Sequence, residues 1–172
     1  ARTLGGTLEA VYAGADADAV AGTLGAHGAT TVHSTGDLAG SLPGVPVASA
    51  TAKAIADGNG PDLVMRGPPH DGRDIAARLS VAIDKPVITN NVDLEVSGDD
   101  VIVTEPVFGG TKLVKTKFTA GGPHIALFRP KSFEASEAGG GAAAVSALEV
   151  TDAGTAMVTN HHVEEATGPK LD

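Results

Sequence analysis

The chain contains no cysteine and no tryptophan. Disulfides, thiolate metal centres and cysteine nucleophiles are therefore excluded, and the composition fits a reducing compartment. Aromatic residues make up 3% of the chain while apolar residues as a whole make up 42%, so a core must be built from Ala, Val, Leu and Ile. Small aliphatics of this kind suit helices packed closely on a parallel sheet. Positive charge is also scarce. Twelve Lys and Arg stand against 21 Asp and Glu, giving a formal net charge of -9, and no basic block occurs. Nucleic-acid binding rests on neutralising phosphates, so no nucleic-acid partner is expected. No apolar run approaches the ~20 residues of a membrane span, and no membrane insertion is expected. No secretory signal is visible at Ala1. The 172 residues suit one domain with a tail.

What is present is an alternation of short elements. Residues 1–4 read as the end of a helix terminated by Gly5-Gly6, and residues 7–13 (TLEAVYA) as a strand. Asp16 is placed to cap a helix over 16–26, with Val20 and Leu24 on one face. A short strand is expected at 30–33, irregular chain at 38–46, and a helix over 47–57 ending at Gly58-Asn59-Gly60. Pro61 introduces a strand at 62–66; residues 72–83 repeat Ile75, Leu79 and Ile83 every four positions as a helix, and 86–89 is a further strand. Strand and helix in regular alternation imply a mainly parallel, doubly wound sheet. A meander from 92 to 128 is appended, with hairpin turns expected at Gly98-Asp99, Gly109-Gly110 and Gly121-Gly122 because such turns need positive φ. Gly139 to Ala144 (GGGAAA) reads as a flexible connector, followed by two short strands at 148–151 and 156–159 and a polar linker from Glu164 to Asp172.

No motif carries a reaction. The loop from Gly67 to Asp74 follows a strand and opens a helix, where α/β proteins commonly hold phosphates, but neither a G-x-x-x-x-G-K-[ST] nor a G-x-G-x-x-G pattern occurs there. Pro68 and Pro69 shaping a loop, with Asp71 or Gly72 as cap, explain it without a ligand. His161-His162 before Glu164-Glu165 reads as a solvated tail, because adjacent residues in extended chain point to opposite faces. Asp99-Asp100 lacks the spaced oxygens of a calcium loop. Ser80 and Ser132 stand in no nucleophile elbow. Lys115 and Lys117 share a strand face with Lys112 nearby, as a solvated edge would. Phe108, Phe118, Phe128 and Phe133 are expected to be buried against the sheet or a partner. Catalytic, cofactor-binding and metal-binding residues are each expected to be none.

Five stretches carry a resemblance: Pro61-Asp62-Leu63-Val64; Gly72-Arg73-Asp74-Ile75-Ala76-Ala77-Arg78-Leu79; Val92-Asp93-Leu94-Glu95; Pro106-Val107-Phe108-Gly109-Gly110; and Arg129-Pro130-Lys131-Ser132-Phe133-Glu134-Ala135. Together they make residues 5–135 resemble the amino-terminal domain of electron transfer flavoprotein alpha subunits. The resemblance implies an adenine-nucleotide-hydrolase-like α/β scaffold domain over 1–135 and an excursion and linker over 136–172 that leads toward an FAD domain. It also implies that the initial strand and the FAD domain lie outside these residues. FAD would be held mainly by the carboxy-terminal domain and AMP by the beta subunit, so no flavin residue is carried onto this chain. Pro68-Pro69-His70 and Asn90-Asn91 depart from the family pattern near the sheet's carboxyl edge, which weakens a nucleotide pocket there.

The implied protein is an electron carrier and not an enzyme, a heterodimer with a beta subunit. It would take electrons from flavin dehydrogenases, such as acyl-CoA dehydrogenases of fatty acid beta-oxidation, and pass them to a quinone-linked oxidoreductase. The implied location is cytoplasmic in a bacterium and the mitochondrial matrix in a eukaryote. The rival reading is a stand-alone adenine-nucleotide-binding module of the universal-stress type, using Gly67 to Asp74.

Overall fold

A computed structural model describes residues 4–67, 70–163 and 168. The chain runs β1 (Glu9–Tyr12), α1 (Ala17–Ala26), β2 (Thr31–Ser34), α2 (Gly44–Ala54), β3 (Leu63–Arg66), α3 (His70–Ile83) and β4 (Val87–Asn91). After these come β5 (Asp93–Ser97), β6 (Asp100–Val107), β7 (Lys112–Lys117), β8 (His124–Phe128) and β9 (Ala144–Ala147). The alternation expected from the sequence is present through β4, and the fold is mixed α/β. The Asp16 carboxylate accepts from Ala19 N at 3.1 Å and so caps α1, satisfying one of the free amides at the helix start.

The strands form three three-stranded sheets in the orders β1-β2-β9, β3-β8-β4 and β5-β6-β7. The first two are parallel and the third is antiparallel. Two strands come from unexpected places. The meander is antiparallel only as far as β7. The next strand, β8, lies between β3 and β4, parallel to both. Gly121-Gly122 is therefore part of a crossover and not a hairpin turn, whereas Gly98-Asp99 and Gly109-Gly110 do join antiparallel neighbours. The reason is burial. Ile125, Ala126, Leu127 and Phe128 form a continuous apolar run that suits a strand covered on both faces.

The run serves two cores at once. Ile125 and Leu127 pack with Val47, Ala48, Ile75, Ala76 and Leu79 of α2 and α3. Ala126 and Phe128 pack on the opposite face with Val103 and Phe118, supported by Leu63, Met65, Ile88, Leu94 and Val101. The result is three layers: two helices, a parallel sheet and an antiparallel sheet.

The second unexpected strand is β9. The glycine- and alanine-rich stretch before it lies against α1, with Ala138 N bonded to Ala26 O at 2.6 Å and Ala143 N to Ala21 O at 3.0 Å. Gly25 permits this approach, since a Cβ there would overlap Gly141 O and stand 2.6 Å from Ala143 N. From Ala144 the chain pairs with β2 in register Thr31–Ala144 through Ser34–Ala147. It then runs on past α2. Ser49 Oγ donates to Asp152 O at 3.1 Å, and Val158 N donates to Gly40 O at 2.9 Å. In place of the strands expected at 148–151 and 156–159, there is β9 itself and a single bridge from Met157 to Ser41. The third core cluster, Ala17, Ala21, Ala29, Val32 and Ala143, seals α1 onto this sheet with alanine methyls.

Candidate functional site

Two concavities stand out, both at the carboxyl ends of parallel strands. The larger, about 760 Å³, lies between the outer face of α3 and the strands β4 and β8. Arg73, Ala77 and Ser80 line it from the helix, Thr89 and Asn90 from β4, and Arg129 from the end of β8. Asn90 makes this rim. Its φ of 66° puts it in the left-handed region, which Asn tolerates better than most residues. Its side-chain oxygen accepts from Arg129 Nε at 2.7 Å, and its side-chain nitrogen donates to Pro106 O at 3.3 Å.

Beneath it Asn91 is fully buried, its Nδ2 donating to Ile88 O and Leu127 O at 2.9 Å each. These bonds lock the register shift between Ile88 and Asn91 where β4 meets β8. The Asn91 Oδ1 atom is buried with no partner among the described residues. Sequence reasoning noticed Asn90-Asn91 only as a departure from a family pattern. The signal it passed over was two adjacent amides at a strand end, which is where a bulge needs polar side chains to satisfy freed backbone groups.

The smaller cleft, about 210 Å³, is lined by Val11 and Ala13 after β1, Arg66 of β3, Pro43 and Val47 at the start of α2, and Asp71 and Ile75 of α3. It adjoins the loop singled out from the sequence, of which Gly67 and residues 70–74 are described while Pro68 and Pro69 lie outside the described residues. Burial holds the Arg66 guanidinium below the usual arginine range. It has no hydrogen-bond or ion-pair partner among the described residues.

A diphosphate cofactor such as FAD needs helix amino termini with free amides and no competing negative charge. The three helices offer the opposite. Asp16 caps α1 and Asp18 sits in its first turn, while Asp71 sits in the first turn of α3. The start of α2 carries the Asp74 carboxylate, which occupies the space a Cβ of Gly44 would need and accepts from Arg78 Nε at 2.9 Å. The Gly72-Arg73-Asp74 motif thus has a packing logic: Gly72 is buried, Asp74 reaches across to α2, and Arg73 faces the larger groove. A flavin diphosphate at any of these three helix starts would have to compete with a carboxylate already beside it.

The other candidates resolve into ordinary surface. Lys115 Nζ meets Glu95 at 2.8 Å and Lys117 Nζ meets Asp100 at 2.9 Å, both across the antiparallel sheet. The Glu95 hydrogen bond, and then its charge, raise the Lys115 pKa. His161 and His162 are exposed, and no cluster of metal-ligating side chains occurs among the described residues. Glu164-Glu165 and the tail from 164, apart from Gly168, lie outside the described residues. Ser80 donates to Lys85 O, and Ser132 sits in a turn after Arg129. The phenylalanines divide. Phe118 and Phe128 are buried, but Phe108 is 80% exposed at the β6–β7 tip and Phe133 is half exposed. Among the described residues no helix is long and apolar enough to cross a membrane.

The model of the electron transfer flavoprotein domain matches residues 1–153. The chain belongs to the electron transfer flavoprotein domain family. It is also similar to the electron transfer flavoprotein subunit alpha of Bacillus subtilis (strain 168), at 28% identity over 90 residues. That match covers 52% of this chain and 27% of the relative, so the chain spans roughly a quarter of the length of the protein it resembles. The family match runs through β9 and onto the stretch that docks along α2, in agreement with the packing of those residues.

Proposed function

We propose that these residues form the amino-terminal scaffold domain of an electron transfer flavoprotein alpha subunit, with FAD seated on a separate carboxy-terminal domain. The intact protein pairs with a beta subunit, which holds AMP. It accepts electrons from flavin dehydrogenases, such as acyl-CoA dehydrogenases, and delivers them to a quinone-linked oxidoreductase. The observation that carries this reading is the combination of a family match over residues 1–153 with a carboxylate standing beside the start of each of the helices α1, α2 and α3. A domain built this way contributes position and shape to cofactor chemistry, which is the part a protein supplies in such systems.

One surface available for a partner is the β6–β7 tip. Phe108 and Leu113 are 80% and 67% exposed there, and Phe108 is held outward at a φ of 50°. Exposed aromatic and aliphatic side chains clustered at one tip are typical anchors for association. The test is co-expression of the alpha polypeptide with its beta subunit, wild type and with Phe108→Ser and Leu113→Ser together. The expected outcome is a yellow heterodimer whose association weakens at least ~10-fold in the double variant, with the melting temperature of the unassociated polypeptide unchanged. Saturable AMP or ATP binding by the 172-residue chain alone, without any partner, would instead establish the stand-alone nucleotide-binding module.

A further inference from the structure

Acidic side chains outnumber basic ones in this chain by 21 to 12, yet no acidic residue lines the larger groove. The charged residues that do line it are Arg73 on α3 and Arg129 just past β8. Neither charge is cancelled by a neighbour. Arg73 makes no ion pair among the described residues, and Asp74 beside it in sequence turns to Arg78 instead. Arg129 donates its Nε to the Asn90 side-chain oxygen at 2.7 Å, and that partner is a neutral amide. The bond orients the guanidinium and leaves its charge whole. Arg129 is tied through its backbone as well, since its amide donates to Asn91 O at 2.8 Å. Asn90 is fixed in turn by its donation to Pro106 O at 3.3 Å. An arginine positioned before its ligand arrives avoids part of the ordering cost of binding.

The groove is polarised along its length. Helix α3 begins at the carboxyl ends of the strands, so Arg73 stands at the same end as Asn90 and Arg129. Ser80 and Val87 stand at the far end, and Leu127 contributes to an apolar floor. Its walls are open. Arg73, Ala77, Thr89, Asn90, Arg129 and Pro130 are all exposed, and no strand pairs with the outer edge of β4 among the described residues. A small-molecule pocket encloses most of its ligand, which a trough with such walls does not do. A polypeptide segment needs no such enclosure, because the rest of its own protein also holds it in place. Two guanidinium groups at one end and aliphatic carbon at the other set the chemistry of that segment. Guanidinium binds a carboxylate through two nitrogens side by side, and the floor suits an aliphatic side chain.

We propose that the groove between α3 and β4 docks an acidic segment of a partner polypeptide. Two carboxylates of that segment pair with Arg73 and Arg129, and an aliphatic side chain beyond them lies over Val87 and Leu127. Asn90 is a positioning residue: it aims Arg129 without neutralising it. The docking does not depend on the function proposed above, because its residues differ from the tip residues Phe108 and Leu113. Charge complementarity gives it selectivity. The net charge of -9 repels acidic polypeptides from the chain as a whole, so such a segment gains only where carboxylates are missing and arginines converge.

The test is fluorescence anisotropy with two dye-labelled, amidated pentapeptides, Glu-Glu-Leu-Ala-Leu and its neutral counterpart Gln-Gln-Leu-Ala-Leu. The full polypeptide that carries these residues is used, purified without partners. The acidic peptide is expected to bind saturably at about 0.01 M salt. Its affinity should fall toward about 0.15 M, as the Debye length shrinks from about 30 Å to about 8 Å. The neutral peptide is expected not to saturate. Arg73→Gln, Arg129→Gln and Asn90→Asp should each weaken the acidic peptide about 10-fold, the last because a carboxylate then neutralises Arg129 in place. Lys112→Gln removes an exposed cation on β7, outside the groove, and should change nothing. The wild type gives a second reading that needs no variant: two arginine Nε–H signals should shift by NMR with the acidic peptide and stay still with the neutral one. Absence of saturable binding overturns the inference, and so does binding that survives the three groove substitutions. Displacement of the peptide by an equal concentration of inorganic phosphate would also overturn it, since the groove would then be a site for any small anion.

Discussion

Two glycines on α1 give the sharpest test of how the carboxy-terminal third is held. Gly22 and Gly25 occupy the same helix, and exchanging either for alanine gains about 1 kcal/mol of helix propensity. Their surroundings differ completely. A Cβ on Gly22 meets nothing within 4 Å. One on Gly25 collides with Gly141 O and lies 2.6 Å from Ala143 N and 2.9 Å from Ala142 C, all backbone atoms that cannot swing aside. Relief requires the stretch before β9 to lift from the helix. That movement costs the Ala143–Ala21 and Ala138–Ala26 hydrogen bonds, at about 1 kcal/mol each. It also opens the seam between Ala17, Ala21 and Ala143, which are between 4% and 8% exposed, for about 1–2 kcal/mol more. Gly25→Ala is thus expected to destabilise by about 2–3 kcal/mol net, lowering the melting temperature by roughly 5–10 °C, while Gly22→Ala raises it by roughly 2–4 °C. Thermal melts of both variants in the same polypeptide, followed by far-UV circular dichroism, measure the difference. If Gly25→Ala stabilises as much as Gly22→Ala, the 139–143 stretch is the loose connector its composition suggested and β9 is not docked.

Three further expectations rest on single contacts. Asp16→Ala removes the acceptor for Ala19 N and is expected to cost about 1 kcal/mol in urea unfolding, whereas Asp16→Asn retains most of that stability. Asn91→Leu deletes two buried donations and leaves the Ile88 and Leu127 carbonyls unsatisfied, for about 2–4 kcal/mol, with amide exchange rising first in β4. The Lys115–Glu95 pair sets a pH signature. Because folding raises the Lys115 pKa, its stabilising effect is complete below the ordinary lysine value and is lost as pH climbs through the raised one. An NMR titration of the Lys115 side chain should place its midpoint above that of a free lysine, and Glu95→Gln should bring it back. An unchanged midpoint in Glu95→Gln would assign the shift to another group.

How much of this was legible depended on whether the deciding force was local. The cap at Asp16, the four-residue repeat of Ile75, Leu79 and Ile83, and the hairpin turns at Gly98-Asp99 and Gly109-Gly110 are written within a few residues of where they act, and each is present. The partner of β8 is not written that way. A strand after Gly121-Gly122 looks the same from its neighbours whether it turns back on β7 or crosses to lie between β3 and β4. Only the continuous apolar run Ile125 to Phe128 favours the second, because a strand with one solvated face would alternate. The docked stretch before β9 was hidden by its own mechanism. Glycine and alanine were read as flexibility, yet their smallness is what lets one backbone approach another at Gly25. The groove around Asn90 and Arg129 was missed for a similar reason. It joins residues 39 apart in sequence through one 2.7 Å bond.

The distribution of charge around the helices completes the argument for a scaffold. A phosphate-binding α/β domain keeps at least one helix amino terminus free of carboxylates, since each competes directly with the ligand for amides and for the helix dipole. Here Asp16, Asp71 and Asp74 stand at the starts of α1, α3 and α2 respectively. Asp16 caps its own helix, and all three place negative charge where an anionic cofactor would otherwise meet a helix start. Among the described residues, the exposed arginines Arg73 and Arg129 lie instead on the outer groove beyond α3. Removing a single carboxylate would therefore not uncover a nucleotide site. Asp71→Asn clears the start of α3 but leaves Asp74 against α2 close by, so nucleotide affinity should stay undetectable by calorimetry. Micromolar AMP binding on that one substitution would mean that the carboxylates gate a pocket and do not merely cap helices.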